Sequence, residues 1–197
     1  FDDETGFRLV CKRGELMQRE AEKFDTSMAA VVKLPTEQVQ EICSKFSDIY
    51  QVNFNAPGQV SVSGLSSQMA DFSAEVRAAK GRAIPLKVKG AFHSPFMEGA
   101  AQAFAEELAK VERKEPQVTL YSNMTSEPYT DDVVALLSKQ ICSPVQWEKI
   151  ICNMTAQGID TFVEIGPGKT LTNIIKKINP QVTAVTVAEY LAEAESG

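Results

Sequence analysis

The sequence is poor in the residues that most often announce chemistry. His93 is the only histidine, set in the stretch KVKGAFHSPFMEGAA. The four cysteines, Cys11, Cys43, Cys142 and Cys152, form no C-x-x-C pair, so with one histidine they cannot make a zinc set. No metal site and no cofactor are expected. The thiols read as reduced, which points to a cytoplasmic protein. No apolar run approaches the roughly 20 residues of a membrane span, and no stretch reads as a secretory leader. The net charge of −6 argues against a nucleic-acid binder, whose phosphate contacts need a basic surface. No G-x-S-x-G elbow occurs anywhere, and SVSGLSS only approaches one. EIGPGKT fails as a phosphate loop because Val163 stands where the first glycine is required, and fails as a dinucleotide fingerprint at Leu171. The chain also opens FDDETGF, without an initiator methionine, and so reads as a processed or truncated product.

What is present suits an ordinary folded chain: 197 residues, 44% hydrophobic and 23% charged. Residues 2–24 carry apolar positions at three- and four-residue spacings and predict a helix that places Arg13 and Met17 on one face. From Ser27 the period changes. MAAVVKL, IYQVNFN, QVSVSG and RAIPLKVK read as strands, PTEQVQEICSKF and LSSQMADFSAEVRAAKG as helices. The order is β-α-β-β-α-β, the ferredoxin-like pattern, over residues 26–92. Pro35 is expected at the first helical position, and Pro85 marks an edge strand or a bulge. After His93 the pattern becomes helix 94–113, strand QVTLYSN, helices in 131–141 and 144–158, buried strand DTFVEIG, helix GKTLTNIIKKI and strand QVTAVTV. Alternating strands and helices imply a parallel α/β sheet. The expected fold is therefore α/β, with residues 1–25 and 93–197 in one larger subdomain and 26–92 inserted in it.

Each candidate side chain has a plain and a functional reading. His93 could be a core residue among Phe92, Pro95 and Phe96, or a proton carrier at the junction of two subdomains, where ligand clefts are common. Arg13 could be an exposed helical arginine or a fork that holds a carboxylate. Asn53 and Asn55 precede a turn they could cap, and Gln146 stands near a helix start it could cap. The cysteines sit in predicted helices and read as buried structural thiols. Residues 77–90 carry Arg77, Lys80, Arg82, Lys87 and Lys89 and no acid, either a solvated face or a landing patch for an acidic partner or a phosphate.

Five segments in order, RLVCKRGELMQ, VNFNAPGQVSVSG, GAFHSPFM, SPVQWEK and EIGPGKTLTNIIKKI, resemble the malonyl-CoA:acyl-carrier-protein transacylase family over nearly the whole chain. The resemblance implies an α/β-hydrolase-like subdomain with an inserted ferredoxin-like one and the active site between them. It implies transfer of malonyl from coenzyme A, through a serine ester, to the phosphopantetheine thiol of an acyl carrier protein in fatty acid biosynthesis. By the same resemblance His93 is the general base, oriented by backbone carbonyls rather than an aspartate, with Gln146 at a matching position. Arg13 matches the clamp on the malonyl carboxylate, Asn55 and Asn53 match asparagines near the pocket, and Phe92 matches the residue that accompanies choice of malonyl over methylmalonyl. Lys87 and Lys89 become candidates for carrier-protein docking.

The family's serine elbow precedes the RLVCKRGELMQ helix, and this sequence has none. Loss of a triad serine costs on the order of 10⁶ in kcat, so the isolated chain is expected to be inactive. A companion N-terminal fragment, or self-association through an unpaired sheet edge, is then expected. Two other readings stay open: a non-catalytic fragment that binds acyl carrier protein, and a piece of a polyketide synthase acyltransferase domain.

Overall fold

The computed structural model describes residues 1–129 and 132–196. Helix α1 (Asp3–Ala21) begins where Asp2 accepts a hydrogen bond from the Thr5 main-chain N–H at 2.8 Å, with Asp3 and Glu4 in the first turn. Both features favour a helix start, the first by satisfying an orphan amide and the second by opposing the helix dipole. Its buried face carries Leu9, Leu16, Met17 and Ala21.

The next four strands and two helices follow the expected order: β1 (Thr26–Val32), α2 (Thr36–Cys43), β2 (Ile49–Ala56), β3 (Gln59–Leu65), α3 (Ser66–Ala78) and β4 (Arg82–Lys89). The strands form one antiparallel sheet in the order β2-β3-β1-β4. Pro35 is the residue before α2 rather than its first residue, with extended backbone suited to a cap. Pro85 lies on the edge strand β4, opposite Ala29, beside a register shift, the kind of place where a sheet tolerates proline. Val31, Val60 and Val62 meet Val39, Ile42, Phe72 and Val76 of α2 and α3 in one apolar cluster. The alternation of strand side chains therefore sends Ser61 and Ser63 of β3 to the opposite face.

Beyond the sheet, a 3-10 turn (Pro95–Met97) leads into α4 (Glu98–Ala109), capped by Ser94, whose Oγ accepts from the Phe96 N–H. Ala100, Ala101, Phe104 and Leu108 of α4 pack on Leu9, Leu16 and Met17 of α1 in a second cluster. Then come α5 (Val133–Lys139), α6 (Trp147–Ala156), β5 (Thr161–Glu164), α7 (Thr170–Ile178), β6 (Thr183–Thr186) and α8 (Val187–Ser196). Asp131, the first residue of the predicted 131–141 helix, lies outside the described residues. Strands β5 and β6 pair in parallel as a separate two-stranded sheet.

Three expectations fail here. QVTLYSN forms no strand among the described residues, only a single bridge between Tyr121 and Pro128. A strand needs a neighbour for its ladder, and Val118 and Leu120 instead lie exposed. Strand β5 is not buried: Thr161 is exposed, the rest are half-buried, and Ile165 just beyond is 85% exposed. Of the cysteines only Cys43 is buried; Cys11 and Cys152 are exposed and Cys142 is intermediate. Cys11 and Cys152 fall on the outward faces of their helices, which residue type alone does not reveal.

Candidate active site

His93 follows β4 after Gly90, Ala91 and Phe92. Gly90 has φ +133°, and a Cβ there would stand 2.9 Å from the Ala21 Cβ and from the Phe92 ring, so the chain can turn onto α1 only with glycine. His93 itself has φ +61°, a left-handed backbone that non-glycine residues rarely adopt. Two bonds to one short segment hold it there. Its N–H donates to the Ile141 carbonyl at 3.2 Å, and its ring Nδ1 lies 2.8 Å from the Gln140 carbonyl oxygen. A carbonyl can only accept, so Nδ1 carries the proton and the neutral ring keeps a basic Nε2. Burial holds the His93 pKa below the ordinary imidazole value; the Gln140 carbonyl pulls it upward, the Arg13 charge pushes it down, and the Ser143 backbone pulls it up. Among the described residues no serine, threonine or cysteine side chain hydrogen-bonds the ring.

Arg13, midway along α1, is half-buried and close enough to His93 for its charge to act on the ring. Burial lowers its pKa, and Tyr129 works in the other direction. Among the described residues no carboxylate pairs with it, whereas Arg8 and Arg19 of the same helix each pair with a glutamate. A half-desolvated guanidinium without an anion, next to a neutral imidazole, is suited to receive a carboxylate whose reacting end lies by the base.

The other candidates surround this pair unequally. The Phe92 ring joins the α1–α4 apolar cluster, while its carbonyl accepts from Ser63 Oγ at 3.3 Å, tying His93's neighbour to β3. The Asn55 side chain donates to Ser61 Oγ at 3.2 Å, across to β3 rather than into the turn. Asn53 bridges to Val145: Val145 N–H donates to the Val52 carbonyl at 2.8 Å, and Phe54 N–H donates to the Val145 carbonyl at 2.9 Å. This joins the segment before α6 to the edge of β2. Gln146 stands at the start of α6 without a side-chain cap bond, and its N–H donates to the Asn123 carbonyl at 2.8 Å. Lys87 and Lys89 are exposed on the opposite edge strand β4.

The carbonyl against the His93 ring thus comes from Gln140, a residue that the motifs do not single out. A main-chain contact leaves no mark on residue type, so no signal in one sequence could have found it. The EIGPGKT turn is explained from within. The Glu164 carboxylate accepts from Leu171 N–H at 3.1 Å, Thr172 N–H at 2.8 Å and Thr172 Oγ1 at 2.7 Å. These bonds hold the Glu164 pKa low, and they fill the α7 N-terminus that a phosphate would need.

The family model for the acyl transferase domain matches residues 2–195. A malonyl CoA-acyl carrier protein transacylase of Bacillus subtilis is 35% identical over 188 residues, covering 91% of this chain and 59% of the relative. The crystal structure of the corresponding protein of Clostridium perfringens superposes with a TM-score of 0.94 at 34% identity, covering 100% of this chain and 66% of that one. A malonyl-transacylase in complex with its type II PKS acyl-carrier protein superposes with a TM-score of 0.94 at 29% identity, covering 100% of this chain and 67% of that one. The chain spans about three-fifths of the length of the curated relatives it matches.

Proposed function

The chain belongs to the acyl transferase domain family, and on that premise we propose that it supplies the base and the acid-recognition half of a malonyl transfer from coenzyme A to an acyl carrier protein in fatty acid biosynthesis. One observation carries the reading: a neutral imidazole whose Nδ1 is held by a carbonyl stands beside an arginine that has no acidic partner among the described residues. His93 Nε2 takes the proton of a serine hydroxyl as its oxygen attacks the malonyl thioester. The tetrahedral adduct collapses, and the leaving coenzyme A thiolate recovers that proton. His93 then takes the proton of the phosphopantetheine thiol as its sulfur attacks the serine ester, and returns that proton to the serine oxygen as the adduct collapses and the C–O bond breaks. Arg13 binds the free carboxylate of malonyl. Acetyl would leave the guanidinium unpaired, a cost of several kcal/mol if fully desolvated, which favours the acid-bearing acyl group. No cofactor enters these steps.

The serine is proposed to lie outside these 197 residues, since they hold no G-x-S-x-G elbow. Residues 26–92 are proposed as a ferredoxin-like small subdomain, supported by the strand order β2-β3-β1-β4, inserted in a hydrolase-like remainder. Asn55, Gln146 and Phe92 are proposed to border the acyl pocket. Lys87 and Lys89 are proposed to dock the acidic carrier protein. A cavity of about 400 Å³ at the other end of β4, lined by Lys33, Arg77, Lys80 and Arg82, extends the same basic surface. A cytoplasmic setting fits the free cysteines, and among the described residues no helix is long and apolar enough to cross a membrane.

Intact-mass spectrometry after mixing with malonyl-CoA tests this reading. The chain alone should gain no malonyl adduct. With a separately produced N-terminal segment that carries a G-H-S-x-G elbow, the adduct should appear on that segment's serine and be passed to holo carrier protein. An adduct on this chain, or transfer unaffected by loss of His93, would overturn it.

A further inference from the structure

The C-terminal end of α5 presents two successive carbonyls, those of Gln140 and Ile141, to the ring and the N–H of His93. The last carbonyls of a helix have no intrahelical partner, so they are free to serve a neighbour. Their direction depends on what fixes the helix end. The Gln140 side chain supplies that fixture: its Nε2 donates to the Tyr129 hydroxyl at 2.6 Å. Tyr129 is anchored in turn, since its main-chain N–H donates to the Leu120 carbonyl at 2.9 Å. Ser122, fully buried, influences the Tyr129 hydroxyl, and its Oγ accepts from the N–H groups of Met124 and Thr125.

We infer that Tyr129 is a positioning residue for the proposed base: through Gln140 it fixes the carbonyl that holds Nδ1 of His93. This inference rests on the reading of His93 as the base, but its test needs neither malonyl-CoA nor the serine.

Because His93 is the only histidine, imidazole ¹⁵N shifts report it without assignment. In the chain as it stands, the neutral ring should show one tautomer, with Nδ1 protonated and Nε2 bare. Tyr129→Phe keeps the ring and removes the hydroxyl. It should lower the excess of that tautomer by about threefold to tenfold, the weight of one neutral hydrogen bond. Gln140→Leu, which keeps the main-chain carbonyl but loses the tether, should do the same and serves if the tyrosine variant does not fold. Tyr121→Phe is the control. Its hydroxyl donates to Gln157 at 3.0 Å on the same segment without touching α5, and its loss should leave the tautomer unchanged. If the ring shifts are the same in Tyr129→Phe and Gln140→Leu as in the parent, or if all three variants move them alike, the inference is wrong.

Discussion

Proton uptake by His93 should make this chain lose stability as the solution turns mildly acidic, and the sign follows from its surroundings. Burial is the largest influence on the ring and favours the neutral form; the Arg13 charge adds to it, and the Gln140 and Ser143 backbone groups oppose without prevailing. The folded pKa therefore lies below the ordinary value near 6.5 that the unfolded chain shows. Above 6.5 neither state binds the proton, and the full stability is present. As pH falls below 6.5 the unfolded state takes the proton first, so stability declines until the folded pKa is passed. The slope in that window can reach about 1.4 kcal/mol per pH unit and no more, because one proton is involved. The comparison is urea unfolding from pH 8 to pH 5 of the parent and of His93→Asn, since asparagine tolerates the left-handed backbone at position 93 and does not titrate. Other groups titrate alike in both proteins and cancel in the difference. The parent should weaken relative to the variant only below about pH 6.5. A difference that stays constant would mean that the ring titrates as it does in the unfolded chain, a parent that gains on the variant as pH falls would mean that an anion faces the ring, and either result would refute the account. The same depressed pKa keeps the proposed base unprotonated at neutral pH, as thiol and serine activation require.

Two glycine replacements should have opposite signs in urea unfolding. Gly64→Ala places a Cβ 1.9 Å from the Asp48 carbonyl oxygen and should cost about 3 kcal/mol, whereas Gly14→Ala in α1 meets nothing within 4 Å and should gain about 0.8–1 kcal/mol of helix propensity. A thiol reagent at pH 8 should modify Cys11 and Cys152 in the folded chain. It should reach Cys43, whose buried thiol is pushed up to about 12, only after denaturant is added; equal rates at all three would contradict the packing. In a reconstituted transfer assay, Phe92→Ser should raise the methylmalonyl-to-malonyl ratio of kcat/KM by about tenfold, the weight of one methyl group in an apolar pocket. An unchanged ratio would remove Phe92 from the acyl pocket.

The parts of the fold that could be read from residue order are those whose pattern is internal. The segment from β1 to β4 alternates and breaks within itself, and its partners lie within the same stretch, so period, turn residues and edge proline all agreed with the observed sheet. Residues 117–123 and β5 misled for the opposite reason. Val118, Leu120 and Ile165 carry strand-like apolar side chains, yet all three lie exposed and outside the strands. His93 and Arg13 were legible as candidates through their motifs, and as neighbours only through the family resemblance, because that depends on how α1 meets the chain after β4. Gln140 and Tyr129 were not legible at all. One acts through a carbonyl that any residue would carry, and the other through a hydroxyl placed by tertiary packing.

The left-handed backbone at His93 sets two costs against each other at one position. Holding a non-glycine residue there costs about 1–2 kcal/mol, which the buried, carbonyl-bound ring has to offset. Glycine would relax the main chain, but it would empty the place of the ring and leave the Gln140 carbonyl without its Nδ1 partner. The strain at position 93 is therefore held in place by the contacts of its own side chain.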